Sequence, residues 1–280
     1  MFYAPLTVAE VIDLGPRMRR LRLAGEGLAA FTPVAPDQQA KIFIARDGGV
    51  PELPDPPAER ADVAGWYARY LAVPEERRPW MRSYTVRRHL PEHQQIEIDF
   101  VLHPGASGPA SEWAAAATPG DVLGFYGPAE AHFRPPTVGA VKLFAGDETA
   151  LPAIAAWLEA LAPGERATVH VEVVDADDEQ VLTSPGDVDV HWHHRGSTSL
   201  VDGVTAAGRP DGLEYGWIAG EASAVRALRR LMVGEWGMGK RDVCFTGYWR
   251  RHLTQDDAPT SDDAADAVES MADFEAAQRG

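Results

Sequence analysis

The fold of this chain is decided by two neighbouring stretches, MRSYTVR at residues 81–87 and QIEIDFVLH at residues 95–103. In the second stretch apolar residues alternate with mostly polar ones, which predicts a strand with one buried face. The first stretch carries Arg82, Tyr84 and Thr85 in an Arg-x-Tyr-Thr pattern. A guanidinium is a planar fork that suits a pyrophosphate, and a tyrosine ring can lie against a flavin. The pattern therefore indicates a flavin dinucleotide site, although four residues alone also fit an ordinary edge strand.

A second anion site follows this strand. Residues 107–111 read SGPAS and open an alanine-rich helix predicted over 112–117, which Pro119 and Gly120 end. Small residues at a helix start leave backbone N–H groups that can point at a phosphate. Together with Arg82, this helix start predicts a site for the pyrophosphate of FAD.

The chain up to residue 136 has a β pattern. Short strands are predicted over residues 7–14, 19–23 and 39–45, and they are separated by glycine-containing turns. Residues 47–80 contain six prolines and predict a long loop with one short helix over 63–71. Several short strands with a helix across one end indicate an antiparallel β-barrel. We therefore assign residues 1–136 to an FAD-binding barrel domain.

The pattern changes in residues 137–253. A nearly continuous apolar strand over 140–145 is followed at once by GDETALP, and further strands are predicted over 167–174, 188–192, 215–219 and 243–246. Helical segments lie between them, which predicts a doubly wound parallel α/β sheet. Ligands of such sheets bind at the carboxyl ends of the strands, where residues 147–150 and Glu221 lie. This second domain is predicted to bind NAD(P)H, so the pair indicates an oxidoreductase that passes electrons from a nicotinamide to a flavin.

Composition excludes several classes of protein. The net charge is −16, which argues against nucleic acid or an anionic membrane surface as a partner. The acidic tail, residues 254–280, holds eight acidic residues against one arginine and is predicted to be solvated, with a short helix as an option. The single Cys244 excludes a disulfide within the chain and a cysteine-held zinc or iron–sulfur site. With neither a signal peptide nor a membrane-spanning run, we expect a cytoplasmic protein.

The run HWHH at residues 191–194 resembles a metal cluster. On a strand, however, His191 and His193 share one face while Trp192 and His194 take the other. Only two imidazoles could then converge, so we predict no metal site.

The motifs resemble the siderophore-interacting protein family, which contains ferric-siderophore reductases of the ferredoxin–NADP reductase type. The resemblance covers about residues 5–251. It rests on six stretches in order, MRSYTVR, DFVLH, GPASEWA, GDETALPAI, GE and GYWRR, at residues 81–87, 99–103, 108–114, 146–154, 220–221 and 247–251. The fold that it implies is the ferredoxin reductase-like pair of domains described above.

The resemblance also implies a set of binding residues. FAD would be held by Arg82, Ser83, Tyr84, Thr85, Asp99, Val101, His103, Pro109, Ala110 and Ser111. NADH or NADPH would lie near Asp147, Glu148, Thr149, Ala150, Glu221, Tyr248 and Trp249. A basic pocket would receive an anionic ferric siderophore, and Lys41 matches the family's lysine there. Two other basic positions of that pocket fall near Ala129 and Cys244 in this chain, and the candidates to replace them are Arg134, Arg250 and Arg251.

The implied reaction reduces Fe(III) in a siderophore with electrons that pass from NAD(P)H through FAD. Hard oxygen chelators hold Fe(III) much better than Fe(II), so one electron loosens the iron, and we expect no catalytic acid, base or nucleophile. An acidic run at residues 175–179 follows the second nucleotide strand and would repel a 2′-phosphate, which favours NADH. The alternatives are a siderophore-binding flavoprotein without efficient turnover and a general flavin or ferredoxin-type reductase. A reduced ferredoxin could also be the donor, and we expect a monomer.

Overall fold

The computed structural model describes residues 2–55, 63–103, 108–127 and 135–251, together with 260–262, 265 and 268. Clustering of contacts divides the chain into two compact units, Met1–Ala131 and His132–Gly280. Arg134 and nearly all of the acidic tail, residues 254–280, lie outside the described residues. Within the described part, no helix combines the length and apolar character needed to span a membrane.

The first unit is built from antiparallel strands. They are β1 (Phe2–Gly15), β2 (Met18–Ala24), β3 (Gln39–Ile44), β4 (Trp80–Thr85), β5 (Arg88–Leu90), β6 (Gln95–Val101) and β7 (Val122–Gly127). The described part of this unit also contains the α-helices α1 (Val63–Leu71) and α2 (Pro109–Ala116). The predicted helix over 63–71 is confirmed, whereas α2 begins three residues before the predicted residue 112, because Pro109 is well suited to the first helical position.

The sheet of the first unit closes into a barrel. Its strand order is β4-β3-β7-β1-β2-β6-β5, and every neighbouring pair is antiparallel. The two end strands β4 and β5 are separated in the chain only by Val86 and Arg87, so the two edges of the sheet must meet. A hydrogen bond from Arg87 N to Glu97 O, at 2.8 Å, joins this connection to β6. The predicted antiparallel barrel is confirmed.

The two faces of β6 have different partners. Ile96, Ile98 and Phe100 are fully buried in the barrel core, as the alternation predicts. The opposite face is also buried, because arginines of β2 cover its carboxylates. Arg20 and Asp99 are directly paired across the strands, and Nε and Nη2 of Arg20 donate to the two Asp99 oxygens at 2.6 and 2.8 Å. A bidentate pair of this kind fixes the register of β2 and β6.

Helix α1 packs against the outside of the barrel through aromatic rings. Trp66 of α1 lies parallel to Tyr126 of β7 with a centroid distance of 5.4 Å. Phe43 of β3 contacts both Trp66 and Tyr70 edge-on, at 5.9 Å each. These four residues, all buried, form an outer aromatic cluster that anchors the long loop to β3 and β7.

The second unit is a parallel sheet. It contains β8 (Val141–Asp147), β9 (Arg166–Val173), β10 (Asp187–His194), β11 (Leu213–Glu221) and β12 (Val243–Trp249), with helices α3 (Leu151–Glu159), α4 (Leu200–Ala207) and α5 (Ala222–Arg230). The strand order is β10-β9-β8-β11-β12, and all four pairings are parallel. The order reverses between β8 and β11, which is the switch point where such sheets bind ligands. The predicted parallel α/β sheet is confirmed.

Helix α4 was not predicted from the sequence. A signal for it exists, because Ser199 precedes an apolar pair and Asp202 follows three residues later. The Ser199 hydroxyl accepts a hydrogen bond from Asp202 N at 3.1 Å and caps the helix. Its short length hides the helical period, so the pattern is easily mistaken for a loop.

Candidate functional site

Strand β4 divides its motif between two faces of the sheet. Cross-strand partners in an antiparallel pair point to the same side. Ser83 is paired with Lys41, whereas Arg82 is paired with Ile42 of the barrel core. Tyr84, two residues after Arg82, shares the face of Arg82. Arg82 and Tyr84 therefore lie on one face of the strand pair, while Ser83 and Lys41 lie on the other.

Tyr84 is held against the barrel by its ring. Its centroid lies 4.4 Å from that of Phe100 on β6. Trp113 of α2 contacts the same Phe100 at 6.1 Å, so Phe100 joins the β4 motif to the first helix after β6. Burial raises the pKa of the Tyr84 hydroxyl, while the charge of Arg82 acts in the opposite direction. The hydroxyl is therefore protonated at neutral pH and can donate a hydrogen bond.

The start of α2 is suited to an anion. Gly108 is its N-cap residue and has no side chain that could cap the first N–H groups of the helix. Ser111 Oγ accepts a hydrogen bond from His103 N at 2.9 Å, which ties the helix to the chain after β6. Ala110 and Ser111 are buried, whereas His103 is exposed. A helix start with glycine at its N-cap and a nearby strand that carries Arg82 fit the donor set that a pyrophosphate requires.

Two of the residues implied for FAD have side chains with other partners or no polar group. Asp99 uses both carboxylate oxygens in its pair with Arg20. Val101 is buried and can offer only its backbone or an apolar contact. Any hydrogen bond from Asp99 or Val101 to a flavin would therefore come from the backbone. Thr85 on β4 is also buried.

Lys41 is half-buried on the face of the outer aromatic cluster. Its ammonium group donates to Ser83 Oγ at 2.5 Å. Burial lowers the pKa of Lys41 below its usual value. Since Lys41 shares a face with Phe43, it lies across the sheet from Tyr84.

In the second unit, Asp147 joins three strand ends. It is buried at the end of β8, and its Oδ1 accepts from Thr149 N at 2.9 Å and from Thr149 Oγ1 at 2.5 Å. Its Oδ2 accepts from Glu221 N at the end of β11 and from Trp249 Nε1 at the end of β12, both at 2.8 Å. Burial and the neighbouring charge of Glu148 raise the pKa of Asp147 to about 6, against these hydrogen bonds. We call Asp147 and its three partner residues the Asp147 hub.

The carboxylates beside this hub have partners too. Glu148 makes a bidentate pair with Arg195, whose Nη1 and Nη2 donate at 3.0 and 2.6 Å. Arg195 Nε also donates to Glu172 of β9 at 3.0 Å. Glu221 caps α5, because its Oε2 accepts from Ser223 N and from Ala224 N, each at 3.0 Å.

The cap changes the charge state of Glu221. Burial acts to raise its pKa, but the hydrogen bonds from Ser223 and Ala224 and the charge of Arg251 outweigh burial and lower the pKa. Glu221 is therefore ionised at neutral pH and occupies the start of α5. An external anion cannot use those N–H groups without displacing it.

The end of β12 carries the aromatic and basic residues of the GYWRR stretch. Tyr248, Trp249 and Arg250 are half-buried, whereas Arg251 is exposed. Ala150 is fully buried at the start of α3, so it supports the site without presenting a side chain. The structure thus brings together Asp147, Thr149, Glu221 and Trp249 of the residues implied for the nucleotide.

A histidine cluster lies elsewhere in the second unit, between β9 and β10. His170 of β9 is buried, and its Nδ1 lies 2.9 Å from Nε2 of His193. Its ring also stacks on His191 at a centroid distance of 4.7 Å. The sequence interpretation overlooked His170, which comes from the neighbouring strand. Within the described ranges, no group of three or more His, Cys, Asp or Glu side chains is arranged to hold a metal ion.

The buried His170 predicts an acid-sensitive stability. Burial, followed by the charges of His191 and His193, lowers the pKa of His170 to about 4 from 6.5. Between pH 6.5 and about 4, the unfolded chain therefore binds a proton at His170 that the folded chain does not bind. The free energy of unfolding falls as the pH is lowered through this range. This shift corresponds to about 3 kcal/mol of unfolding free energy.

We expect that urea denaturation at pH 7.0, 5.5 and 4.5 will show a flatter profile of unfolding free energy against pH for His170→Gln than for the wild type. The exposed His93→Gln is the control, and parallel profiles for wild type and His170→Gln would contradict the assignment.

Comparison with known protein families gives two matches. The siderophore-interacting FAD-binding domain matches residues 7–132, and the siderophore-interacting protein family matches residues 140–252. The first unit therefore matches a siderophore-interacting FAD-binding domain over nearly its whole length.

Related proteins agree with these matches. An uncharacterized protein of Mycobacterium tuberculosis is 35% identical over 272 residues, which cover 90% of this chain and 93% of that protein. A ferric acinetobactin reductase of Acinetobacter baumannii is 35% identical, over 66% of this chain and 68% of its own. An NADPH-dependent ferric-chelate reductase of Escherichia coli is 29% identical, over 88% and 92% respectively.

Solved structures have the same fold. A siderophore utilization protein from T. fusca superposes with a TM-score of 0.76 at 31% identity, over 91% of this chain and 95% of that one. The ferredoxin reductase of carbazole 1,9a-dioxygenase superposes with a TM-score of 0.64 at 15% identity, over 88% of this chain and 68% of its own, and supports the ferredoxin reductase-like fold alone. Taken with the family matches and the related proteins, these findings show that the chain belongs to the siderophore-interacting protein family.

Proposed function

We propose that this protein is an oxidoreductase that reduces ferric siderophores, with electrons passing from NAD(P)H through FAD to Fe(III). The observation that carries the proposal is the combination of an FAD-binding domain with relatives named as ferric acinetobactin and ferric-chelate reductases. The start of α2, with Gly108 at its N-cap, and the β4 motif support FAD as the cofactor. Bound FAD would supply the conversion of a two-electron donation into single-electron transfers.

The chain's own residues would bind and orient. Arg82 would pair with the pyrophosphate, and the N–H groups of Ala110 and Ser111 would donate to the same anion at the helix start. The ring of Tyr84, already fixed against Phe100, would support the flavin. Backbone groups of β6, including Val101 and His103, would complete the site, since the Asp99 carboxylate is paired with Arg20.

The nucleotide is proposed to bind at the switch point between β8 and β11. Support comes from the strand order and from the position of the Asp147 hub at the carboxyl ends of these strands. Tyr248 and Trp249 would offer ring surface to a nicotinamide. Glu148 and Glu221 would act indirectly, because Glu148 holds Arg195 and Glu221 holds the start of α5.

The choice between NADH and NADPH rests on charge. The acidic run after β9 includes Asp175, which caps its own turn, and Glu179, which pairs with His194 at 2.7 Å. A 2′-phosphate would meet several carboxylates there, so we favour NADH. The Escherichia coli relative, by contrast, is named as NADPH-dependent, which favours NADPH. A reduced ferredoxin is a third donor to test.

An anaerobic experiment separates these options. Purified yellow protein is mixed with NADH, with NADPH or with reduced ferredoxin, and flavin absorbance is followed before a ferric siderophore is added. We expect a nucleotide to bleach the flavin, and the siderophore to restore its colour with release of Fe(II). Bleaching by ferredoxin alone would make that protein the donor. Retained colour with all three donors would favour a siderophore-binding flavoprotein.

The acceptor must be tested separately. Equal rates with ferric siderophores and with simple ferric chelates would indicate a general flavin or ferredoxin-type reductase. A clear preference for siderophores would support the proposed substrate. Cytoplasmic location and a monomeric state stay predictions, which fractionation and sedimentation would check.

Lys41 is the first substrate residue to test. An ion pair at ~4 Å and an effective dielectric of ~20 contributes roughly 4 kcal/mol before desolvation. If about 1.4 kcal/mol of this survives, Lys41→Ala raises KM for an anionic ferric siderophore about tenfold. FAD content should not change, and Lys41→Arg should keep most of the affinity for the siderophore.

An unchanged KM would remove Lys41 from the substrate pocket and leave it only its contact with Ser83, on the face opposite Tyr84. Arg250 and Arg251 would then be the next pocket residues to replace, with Arg134 beyond the described residues.

A further inference from the structure

We propose that Asp147 is a positioning residue that orients Trp249 for the nucleotide and does not itself bind the nucleotide. The inference rests on the proposed function, because it gives Trp249 a nicotinamide contact. It changes the role that the family resemblance implies for Asp147. The evidence is the set of protein donors around its carboxylate.

Both oxygens of Asp147 are fully used by the protein. A carboxylate offers about four lone-pair sites. Thr149 fills two of them through its N–H and hydroxyl, and Glu221 N and Trp249 Nε1 fill the other two. Asp147 is also buried, so a ligand could reach it only by breaking these bonds.

The hydrogen bond to Trp249 acts just beyond an irregularity in the pairing of β11 and β12. The ladder between β11 and β12 runs regularly up to Gly220 and Gly247, and then shifts so that Glu221 is paired with Trp249. Such an irregularity inserts one extra residue into one of the two strands and re-aims the side chains beyond it. Beyond this irregularity the backbone of Trp249 is paired with Glu221, while its indole N–H donates to Asp147, so the hydrogen bond fixes the orientation of the ring.

The neighbouring carboxylates cannot replace Asp147 in this role. Glu148 is paired with Arg195, and Glu221 is bound to the start of α5. Gly220 has φ +131, and a Cβ at this position would lie 2.5 Å from Asp147 Oδ2. The backbone of β11 thus leaves room for this one carboxylate beside Trp249.

A double-mutant cycle in the FAD-loaded full chain tests the proposal. Asp147→Asn keeps the size of the side chain but replaces one acceptor oxygen with a donor. We expect Asp147→Asn and Trp249→Phe each to raise KM for the reducing nucleotide about tenfold, with kcat and FAD content nearly unchanged. The double variant should be no worse than either single variant, because both remove the same interaction. The control is Asp202→Asn, an exposed carboxylate at the start of α4.

A second readout does not depend on turnover. In protein with ¹⁵N-labelled tryptophan, the indole N–H signal missing from Trp249→Phe identifies Trp249. We expect that signal in the wild type to exchange slowly with solvent, and to exchange at least tenfold faster in Asp147→Asn. Rapid exchange in the wild type would overturn the proposal, even if Asp147→Asn fails to fold.

The two readouts separate the two claims. If neither nucleotide reduces the wild-type flavin, the proposed donor fails, while slow indole exchange still supports the hold of Asp147 on Trp249. If the nucleotide still reduces the flavin but the effects of the two substitutions on KM add up in the double variant, the positioning role of Asp147 is wrong, while the proposed donor stands.

Discussion

Replacing Arg82 with alanine is expected to give protein that purifies with little bound FAD. A guanidinium would make two charge-assisted hydrogen bonds to the pyrophosphate, each contributing about 1.5–3 kcal/mol. A net loss of about 3 kcal/mol weakens FAD binding by a factor of about 100. The measurement is the ratio of flavin absorbance to protein absorbance after purification, followed by titration of the apoprotein with FAD.

Two further variants make this result specific. Arg82→Lys keeps the charge without the planar fork, so it should bind FAD with intermediate affinity. Arg88→Ala is the matched control, because Arg88 is paired with Glu97 across β5 and β6, on the face opposite Phe100. This control should purify with full colour. Full flavin content in Arg82→Ala would show that the pyrophosphate assignment is wrong.

Gly220→Ala is expected to destabilise the second unit strongly. The backbone at Gly220 has φ +131, a conformation that residues other than glycine rarely adopt. The added Cβ would also lie 2.5 Å from Oδ2 and 2.8 Å from Cγ of Asp147. Since that carboxylate holds Thr149, Glu221 and Trp249, it cannot move away without breaking bonds. We expect a loss of about 3–5 kcal/mol of unfolding free energy.

The measurement is urea denaturation followed by tryptophan fluorescence, with Gly139→Ala as the matched control. Gly139 also has a positive φ, +81, but a Cβ added there would meet no other atom within 4 Å. Its loss should be limited to the backbone cost of about 1–2 kcal/mol. Equal losses in the two variants would show that the contact with Asp147 carries no weight.

Much of the fold could be predicted because its signals are local. Alternation over residues 95–103 marked a strand with Ile96, Ile98 and Phe100 inside, and the structure has these residues in the barrel core. The change to apolar strands followed by helices marked the parallel sheet. The sequence also located the ends of β8 and β11, because a strand followed at once by small and acidic residues is a visible boundary.

Contacts between distant residues were not visible in these patterns. The carboxylate of Asp99 is bound by Arg20, which is 79 residues away in the chain. The ring of His170 contacts that of His193 on a neighbouring strand. A polar residue in an alternating strand reads as solvent-facing, whatever side chain covers it from the next strand. Strand order and register, which decide such partners, depend on packing over the whole unit.

The amino-acid sequence by itself determined the two kinds of sheet, the motifs that mark the family and the strand ends at which those motifs lie, because periodicity and turn residues act over a few positions. Only the tertiary structure decided what the side chains do there. It separated Lys41 and Ser83 from Arg82 and Tyr84 by placing them on opposite faces of one strand pair. It also brought Trp249 to Asp147, 102 residues earlier in the chain, because parallel strands that are distant in sequence end side by side.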